Sequence, residues 1–468
     1  MVFNSLTFAL FLPIVFAVYW LLQGHLRWQN AFIVLASYVF YGWWDWRFLG
    51  LIAFSSLLTW GTGLLITKAH TQKKTLSAKI WLVATITINL GILCLFKYYD
   101  FFVSSLCTLL HIDATTHLLH LVLPVGISFY TFQAISYSVD VYRNNLRPTR
   151  NLMTFCAFLT FFPQLVAGPI ERATNLLPQF DTPRRFNYPE AVEGLRRILW
   201  GLFKKVVIAD TCATFINPIW DTYNHQPASA LVFAALLFSI QIYGDFSGYS
   251  DIAIGTAHLF GLKLRENFRT PYFSRNVAEF WQRWHISLNT WFVDYVYIPL
   301  GGSRNGKAKT IANTFVIFLL SGLWHGAEWS FVGWGLYHAF LFMILLLLNH
   351  THRYRDEAAS YSQIPQIVLT FVLVSIGWIL FRAPNIETAW GFMGSICNVS
   401  IFSIPKGIHV TRLVCLSICI ITMIIFEWRN RTKSEAPIPH NIFVYYILFF
   451  AIWWFSGRAS IDFIYFQF

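Results

Sequence analysis

The chain has 468 residues, 56% hydrophobic and only 12% charged, with a formal net charge of +12. Its mean hydropathy is +0.53. Soluble domains carry about 25% charged residues, so this composition excludes an ordinary soluble enzyme and indicates a polytopic membrane protein. The positive excess is not a nucleic-acid footprint, because the basic residues cluster in short loops, as topology determinants do.

In chain order, apolar runs fall at 6–22, 31–44, 48–66, 80–96, 121–141, 228–243, 249–262, 311–325, 329–349, 364–381, 411–428 and 442–456. Several are shorter than the ~20 residues a full crossing needs; those are read as tilted, re-entrant or buried. The expectation is an all-α chain with ten to twelve transmembrane helices, plus re-entrant and amphipathic helices, and no large soluble domain. The first run lacks a basic leader and a small-residue cleavage site, so it reads as a retained helix. All seven cysteines read as buried structural thiols.

Four basic stretches orient the chain. Lys68, Lys73, Lys74 and Lys79 lie in 67–79, and Arg143, Arg147 and Arg150 in 142–150. Arg304, Lys307 and Lys309 lie in 301–310, and Arg429, Arg431 and Lys433 in 429–433. By the positive-inside rule all four face the cytoplasm, and both termini then face outward.

The middle is less regular. Pro163, Gly168 and Pro169 break any continuous helix in 151–190, which suits a re-entrant segment covered by protein. Residues 191–209 set Arg196, Arg197, Lys204 and Lys205 opposite Leu195, Ile198, Leu199 and Leu202, the pattern of a cytoplasmic surface helix. The stretch QIYGDFSGYSDIAIG, 241–255, interrupts an apolar run with Asp245 and Asp251. Carboxylates in such a place must be paired or hydrogen-bonded. Either they cap a structural break, or they line a cavity and orient an imidazole.

Three local patterns carry less. GGSRNGKA, 301–308, nearly spells a phosphate-binding loop but has Ala308 where the hydroxyl residue belongs, so it reads as a basic turn. His111, Asp113, His117 and His120 are metal-ligand types, read here as a surface loop, and no metal site is expected. No GxSxG elbow occurs, so nothing suggests a hydrolase nucleophile.

Two histidines stand out, His285 in EFWQRWHISLNTWF and His325 in LLSGLWHGAEW. On a helical wheel Trp281, His285, Leu288 and Phe292 share one face, flanked by Trp284 and Trp291. This predicts one amphipathic helix with the histidine in its aromatic stripe. His325 ends an apolar run between Gly322 and Gly326, which leave room for another helix or a ligand; Gly326 is expected to stop the helix. Trp324, Trp329 and Trp334 are expected to bury the ring and keep it neutral. Two readings stand. Both histidines are packed, each donating to a backbone carbonyl, or they form a reaction centre. A neutral imidazole can take the proton of an attacking alcohol. Trp281, Trp284 and Trp324, with Asp245 and Asp251, would then line its cavity.

The stretch RNVAEFWQRWHISLNTWFVDYVYIPLGGS, followed by LSGLWHGAEWSFVGWGLYHAF, resembles the membrane-bound O-acyltransferase superfamily. FFPQLVAGPIER and QIYGDFSGYSDIAIG also resemble its bacterial alginate and peptidoglycan O-acetylation branch. The resemblance covers nearly the whole chain and implies one membrane domain over 1–468. Its catalytic core would be about 121–349, with N-terminal helices in 1–110 and C-terminal helices in 364–456. It implies a ring of tilted helices around a thin centre, with a funnel on each side. It makes His325 the catalytic residue and His285 the second family position. The acyl donor would be acetyl-CoA or, as in teichoic acid D-alanyl transfer, an acyl carrier protein thioester, with no permanently bound cofactor. The acyl group would leave on the outer side of a bacterial cytoplasmic membrane, toward a polysaccharide, through an SGNH-type partner. A lipid-linked sugar transporter and an assembly scaffold are the competing classes. The first predicts internal repeats, and none is evident. The second gives no reason for two imidazoles among tryptophans.

Overall fold

The computed structural model describes residues 1–114, 116–166, 168–351, 358–403, 409–432, 436–456 and 463–464. Every regular element among them is helical. Six helices are long and apolar enough to cross a membrane: Trp46–Thr71, Thr75–Leu110, Ala228–Leu259, Trp329–Leu347, Tyr361–Arg382 and Val410–Arg429. Leu6–Leu21 and Ile442–Phe455 are apolar but shorter. Two compact units emerge: Met1–Leu195 with Ala253–Arg265, and Arg196–Ile252 with Glu266–Phe468.

In the first unit, Ser5 caps the opening helix by accepting from the Phe8 N–H at 3.1 Å. The spans Trp46–Thr71 and Thr75–Leu110 are joined by a short turn, in which Lys73 takes a left-handed backbone, φ 57°. A Cβ on Gly63 would lie 2.8 Å from the Tyr137 ring, so glycine there lets the Ile127–Tyr142 helix close on its neighbour. The 151–190 stretch is broken as expected, into Leu152–Thr160, Phe162–Leu165 and Ala173–Asp181. Its Phe155, Phe158, Phe161 and Phe162 are fully buried. Side chains satisfy its loose backbone groups: the Phe162 N–H donates to Ser37 Oγ and Asn30 Nδ2 to the Phe180 carbonyl.

The second unit holds both histidines, and four features of the chain depart from the sequence reading. First, the Asp-Gly stretch 241–255 is not a break. Ala228–Leu259 runs through it as one helix. Its glycines serve close packing instead: a Cβ on Gly248 would lie 2.7 Å from the Gly201 carbonyl oxygen, and one on Gly201 2.5 Å from that of Gly248. Second, the basic face of 191–209 does not lie on a surface. Arg196, Arg197, Lys204 and Lys205 are buried, while Leu195 is exposed. The reason is the carboxylates supplied by other segments: Arg197 meets Asp251 at 3.0 Å and Glu266 at 2.5 Å, and Lys204 meets Asp251 at 2.5 Å. Lys205 lies 2.8 Å from Asp210 and 2.7 Å from Asp245. In a low-dielectric interior only such pairing makes buried charge tolerable.

Third, the continuous amphipathic helix around His285 is two short helices, Val277–Arg283 and Ile286–Phe292. Trp284 is extended and His285 is left-handed, φ 44° and ψ 52°. The break lets 267–269 run beside 283–286: the Arg269 N–H donates to the Arg283 carbonyl at 3.0 Å and the Ile286 N–H to the Asn267 carbonyl at 2.9 Å. Fourth, only Cys107 and Cys212 are buried; Cys94, Cys397 and Cys415 are exposed. The turn 301–305 leads into Gly306–His325 with Gly301, Gly302 and Gly306 all at positive φ, as a turn requires. Lys433 lies outside the described residues.

Candidate active site

His325 is the last residue of the Gly306–His325 helix, which stops at Gly326 as expected. The space beside its glycines belongs to a helix, not to a ligand. A Cβ on Gly322 would lie 2.4 Å from the Phe331 carbonyl oxygen, and one on Gly326 2.0 Å from the Phe331 ring. Helix Trp329–Leu347 therefore folds back tightly on the helix that carries His325. Gly335 completes the seam, its hypothetical Cβ 2.4 Å from the Phe318 carbonyl oxygen.

The imidazole of His325 is 3% exposed. Trp324 and Trp334 stand edge-on to it, each at 5.0 Å between centroids, and Phe381 at 5.3 Å. Trp329, expected among these walls, is half exposed at the start of its helix, and Phe381 takes its place.

His285 reaches the same place from the junction of the two short helices. It is 2% exposed, and its ring lies 6.3 Å from that of His325 and 5.7 Å from Trp324. Phe246 meets it edge-on at 4.7 Å. It is outside the six spanning helices, and burial lowers its pKa well below the usual histidine range, so the ring is neutral near pH 7.

The Val277–Arg283 helix beneath it is anchored by Glu279. This buried carboxylate pairs with Arg275 and Arg283, each at 2.8 Å. Asn276 caps that helix by accepting from the Glu279 N–H at 2.8 Å.

Of the three tryptophans singled out from sequence, only Trp324 touches both imidazoles. Trp281 packs on Phe318, Trp334 and His338 at 5.5, 5.5 and 5.0 Å. Trp284 packs on Phe268, Phe280 and Trp378 at 5.0, 5.4 and 4.9 Å. The two aspartates do not orient an imidazole. Asp245 is taken by Lys205 and by the Ile464 N–H at 2.7 Å, and Asp251 by Lys204 and Arg197. The helix instead turns Phe246, the neighbour of Asp245, toward His285. Within that ion-pair cluster, burial pushes the Asp210 carboxyl up to about 7, against the pull of Lys205.

Sequence reasoning missed Asn267. Its Oδ1 lies 3.1 Å from His285 Nδ1 and also accepts from Ser287 Oγ at 2.9 Å and from the Ser287 N–H at 3.3 Å. Its Nδ2 donates to Ser250 Oγ at 3.2 Å. Nothing in LRENFRTPYF marks this asparagine, because its partners lie in two other segments. A third buried imidazole, His338, was also missed; it packs 5.2 Å from Trp334, the residue that walls His325.

The arrangement brings two buried imidazoles into one aromatic enclosure, where a proton can be taken from a hydroxyl and later returned to a leaving group.

Residues 143–381 match the sequence model of MBOAT, the membrane-bound O-acyltransferase family. The chain is 41% identical over 454 residues to a probable alginate O-acetylase of Pseudomonas aeruginosa, covering 93% of this chain and 84% of that protein. It is 34% identical over 441 residues to a peptidoglycan O-acetyltransferase of Helicobacter pylori, covering 86% and 82%. It is 27% identical over 273 residues to a teichoic acid D-alanyltransferase of Bacillus subtilis, covering 55% and 68%.

Proposed function

The chain belongs to the membrane-bound O-acyltransferase family, and on that footing we propose that it moves an acetyl group from cytoplasmic acetyl-CoA toward an extracytoplasmic glycan. It is an all-helical membrane protein whose reaction is acyl transfer to a hydroxyl oxygen.

The observation that carries the site is the meeting of His285 and His325, ring centroids 6.3 Å apart, in one buried aromatic enclosure. His325 is the general base. It takes the proton of the acceptor hydroxyl as that oxygen attacks the thioester carbonyl carbon. The C–S bond then breaks, and the imidazolium returns the proton to the departing thiolate. Base catalysis of this kind contributes on the order of 10²–10⁴-fold. His285 supports the transfer from the same enclosure. Asp245 and Asp251 hold the surrounding helices together through Lys204, Lys205 and Arg197 rather than meeting the substrate.

The Lys/Arg-rich turns support a reading in which 67–79 and 301–310 face the cytoplasmic side of a bacterial cytoplasmic membrane, where acetyl-CoA is found. The acyl group passes outward to an SGNH-type partner that completes transfer to the polysaccharide. The relatives support acetyl as the group, since two are O-acetylating enzymes. D-alanyl transfer from a carrier protein is the second reading, supported by the D-alanyltransferase relative.

The test is to supply acetyl-CoA labelled in the acetyl group to the cytoplasmic face of vesicles holding the purified protein, its SGNH-type partner and its glycan acceptor. Label on the glycan is expected. Label entering only when D-alanyl carrier protein replaces acetyl-CoA would favour the second reading. Movement of an unmodified lipid-linked sugar without acyl transfer would make the protein a transporter instead.

A further inference from the structure

We propose that Asn267 is a positioning residue for the transfer: it fixes His285 as the tautomer protonated at Nδ1, so that this ring offers Nε2 as a proton acceptor. The proposal rests on the reading of the two-histidine enclosure as the acyl-transfer site. It adds a residue and a proton position to that reading.

An asparagine side chain can be turned either way round, and an imidazole has two tautomers, so a contact between them is ambiguous by itself. Here a third group removes the ambiguity. The backbone N–H of Ser287 can only donate, and it donates to the same atom of Asn267, Oδ1, at 3.3 Å. At the other end of the amide, Nδ2 lies 3.2 Å from Ser250 Oγ and donates to it. Oδ1 is therefore the carbonyl oxygen, an acceptor with no proton to give. His285 Nδ1, 3.1 Å from it, must be the donor. In a neutral ring the remaining lone pair is then on Nε2.

Asn267 also holds the backbone that presents this ring. His285 is left-handed at φ 44°, a conformation that is costly for a non-glycine residue. The Asn267 carbonyl accepts from the Ile286 N–H at 2.9 Å, immediately after His285. One residue thus secures the backbone and the ring together, and it is itself fully buried. Strained backbone held from several sides is typical of functional positions.

The consequence concerns what His285 does. With Nδ1–H committed to Asn267, the ring cannot donate from Nε2 while neutral. Its role toward its surroundings is that of an acceptor. Among the described rings that border it are Phe246, Phe268, Trp324 and a second imidazole, His325. An acceptor beside His325 favours the imidazolium that forms there when the substrate hydroxyl gives up its proton.

The experiment reads the tautomer directly. Full-length protein labelled with ¹⁵N-histidine is studied in membranes without substrate, and the His285 signals are assigned by their loss in His285→Gln. Nδ1 is expected to show the shift of a protonated nitrogen and Nε2 that of an unprotonated one. The opposite pattern overturns the proposal.

Acyl transfer is then compared across pH in Asn267→Leu and Asn267→Asp. Leu removes the acceptor, and transfer should fall by about ten- to a hundredfold, the loss typical when the partner that orients a metal-bound imidazole is removed. Asp keeps an acceptor and adds charge. It should keep the Nδ1–H signature while moving the acidic limb of the rate profile to higher pH. If Leu fails to fold, the Asp variant decides: a folded Asn267→Asp with an unshifted profile overturns the role. Because the tautomer is measured without turnover, failure of this proposal is distinct from failure to find acyl transfer at all.

Discussion

Lys205 and Asp245 form a nearly solvent-free ion pair, with Nζ 2.7 Å from Oδ1 and side chains 1% and 3% exposed. The pair ties the π-helical turn Phe203–Ala209 to the long Ala228–Leu259 helix, and Asp210 shares the same ammonium at 2.8 Å. Removing one partner of such a pair leaves a buried uncompensated charge, which typically costs about 3–5 kcal/mol. Lys205→Met should therefore lower the unfolding temperature in detergent substantially, and adding Asp245→Asn should recover part of the loss. A Lys205→Met protein that unfolds at the wild-type temperature would mean that the pair has no structural role.

Gly322 gives a second test of packing against chemistry. A Cβ there would sit 2.4 Å from the Phe331 carbonyl oxygen, a backbone atom that cannot swing away. Gly322→Ala should prise apart the two helices that carry His325 and Trp334, at a cost of about 1–3 kcal/mol. Stability and transfer should fall together. Loss of transfer with unchanged thermal stability would return this glycine to the role of a substrate notch.

Much of the fold class was legible because hydropathy needs no partner to be read: a helical membrane protein follows from composition, while against the ten to twelve crossings expected, six helices among the described residues are long and apolar enough to cross. The site was legible only in its two histidines. The break at Trp284–His285 leaves no periodic mark, since one left-handed residue preserves the local spacing of aromatic positions. The basic face of 191–209 was misread for a related reason. Cations opposite leucines look the same whether they face headgroups or buried carboxylates, and the counter-charges Asp245, Asp251 and Glu266 come later in the chain. Asn267 was invisible on the same grounds, because its function exists only where 267–269 meets 283–287.

Topology is tested at Lys73, exposed in the turn between Trp46–Thr71 and Thr75–Leu110. The Lys-rich loop should be cytoplasmic. In a background stripped of exposed cysteines, Lys73→Cys should resist an impermeant thiol reagent in intact cells and react once the membrane is opened. Labelling in intact cells would invert the orientation.

His285→Ala should reduce transfer strongly while the acyl donor still binds. The ring is held by Asn267 and bordered by Trp324 and Phe246, so its loss removes an oriented acceptor beside His325. Transfer at the wild-type rate in this variant would make His285 a packing residue.

His325 is the sharpest case, because its surroundings dictate which substitution is informative. The ring is packed against Trp324, Trp334 and Phe381 at 5.0, 5.0 and 5.3 Å. His325→Ala empties that space and adds a cavity penalty, so lost activity could come from a loosened enclosure. His325→Gln nearly preserves the volume and keeps one donor and one acceptor, but an amide cannot take a proton at these pH values. A packed histidine that only hydrogen-bonds would therefore be rescued by glutamine, and a general base would not. Transfer by His325→Gln should fall by at least the ~10²–10⁴-fold that proton transfer contributes, with an unfolding temperature near that of the wild type. Retained transfer in a well-folded His325→Gln protein would move the base elsewhere, and His285, whose Nε2 lone pair follows from its contact with Asn267, would be the residue to test next.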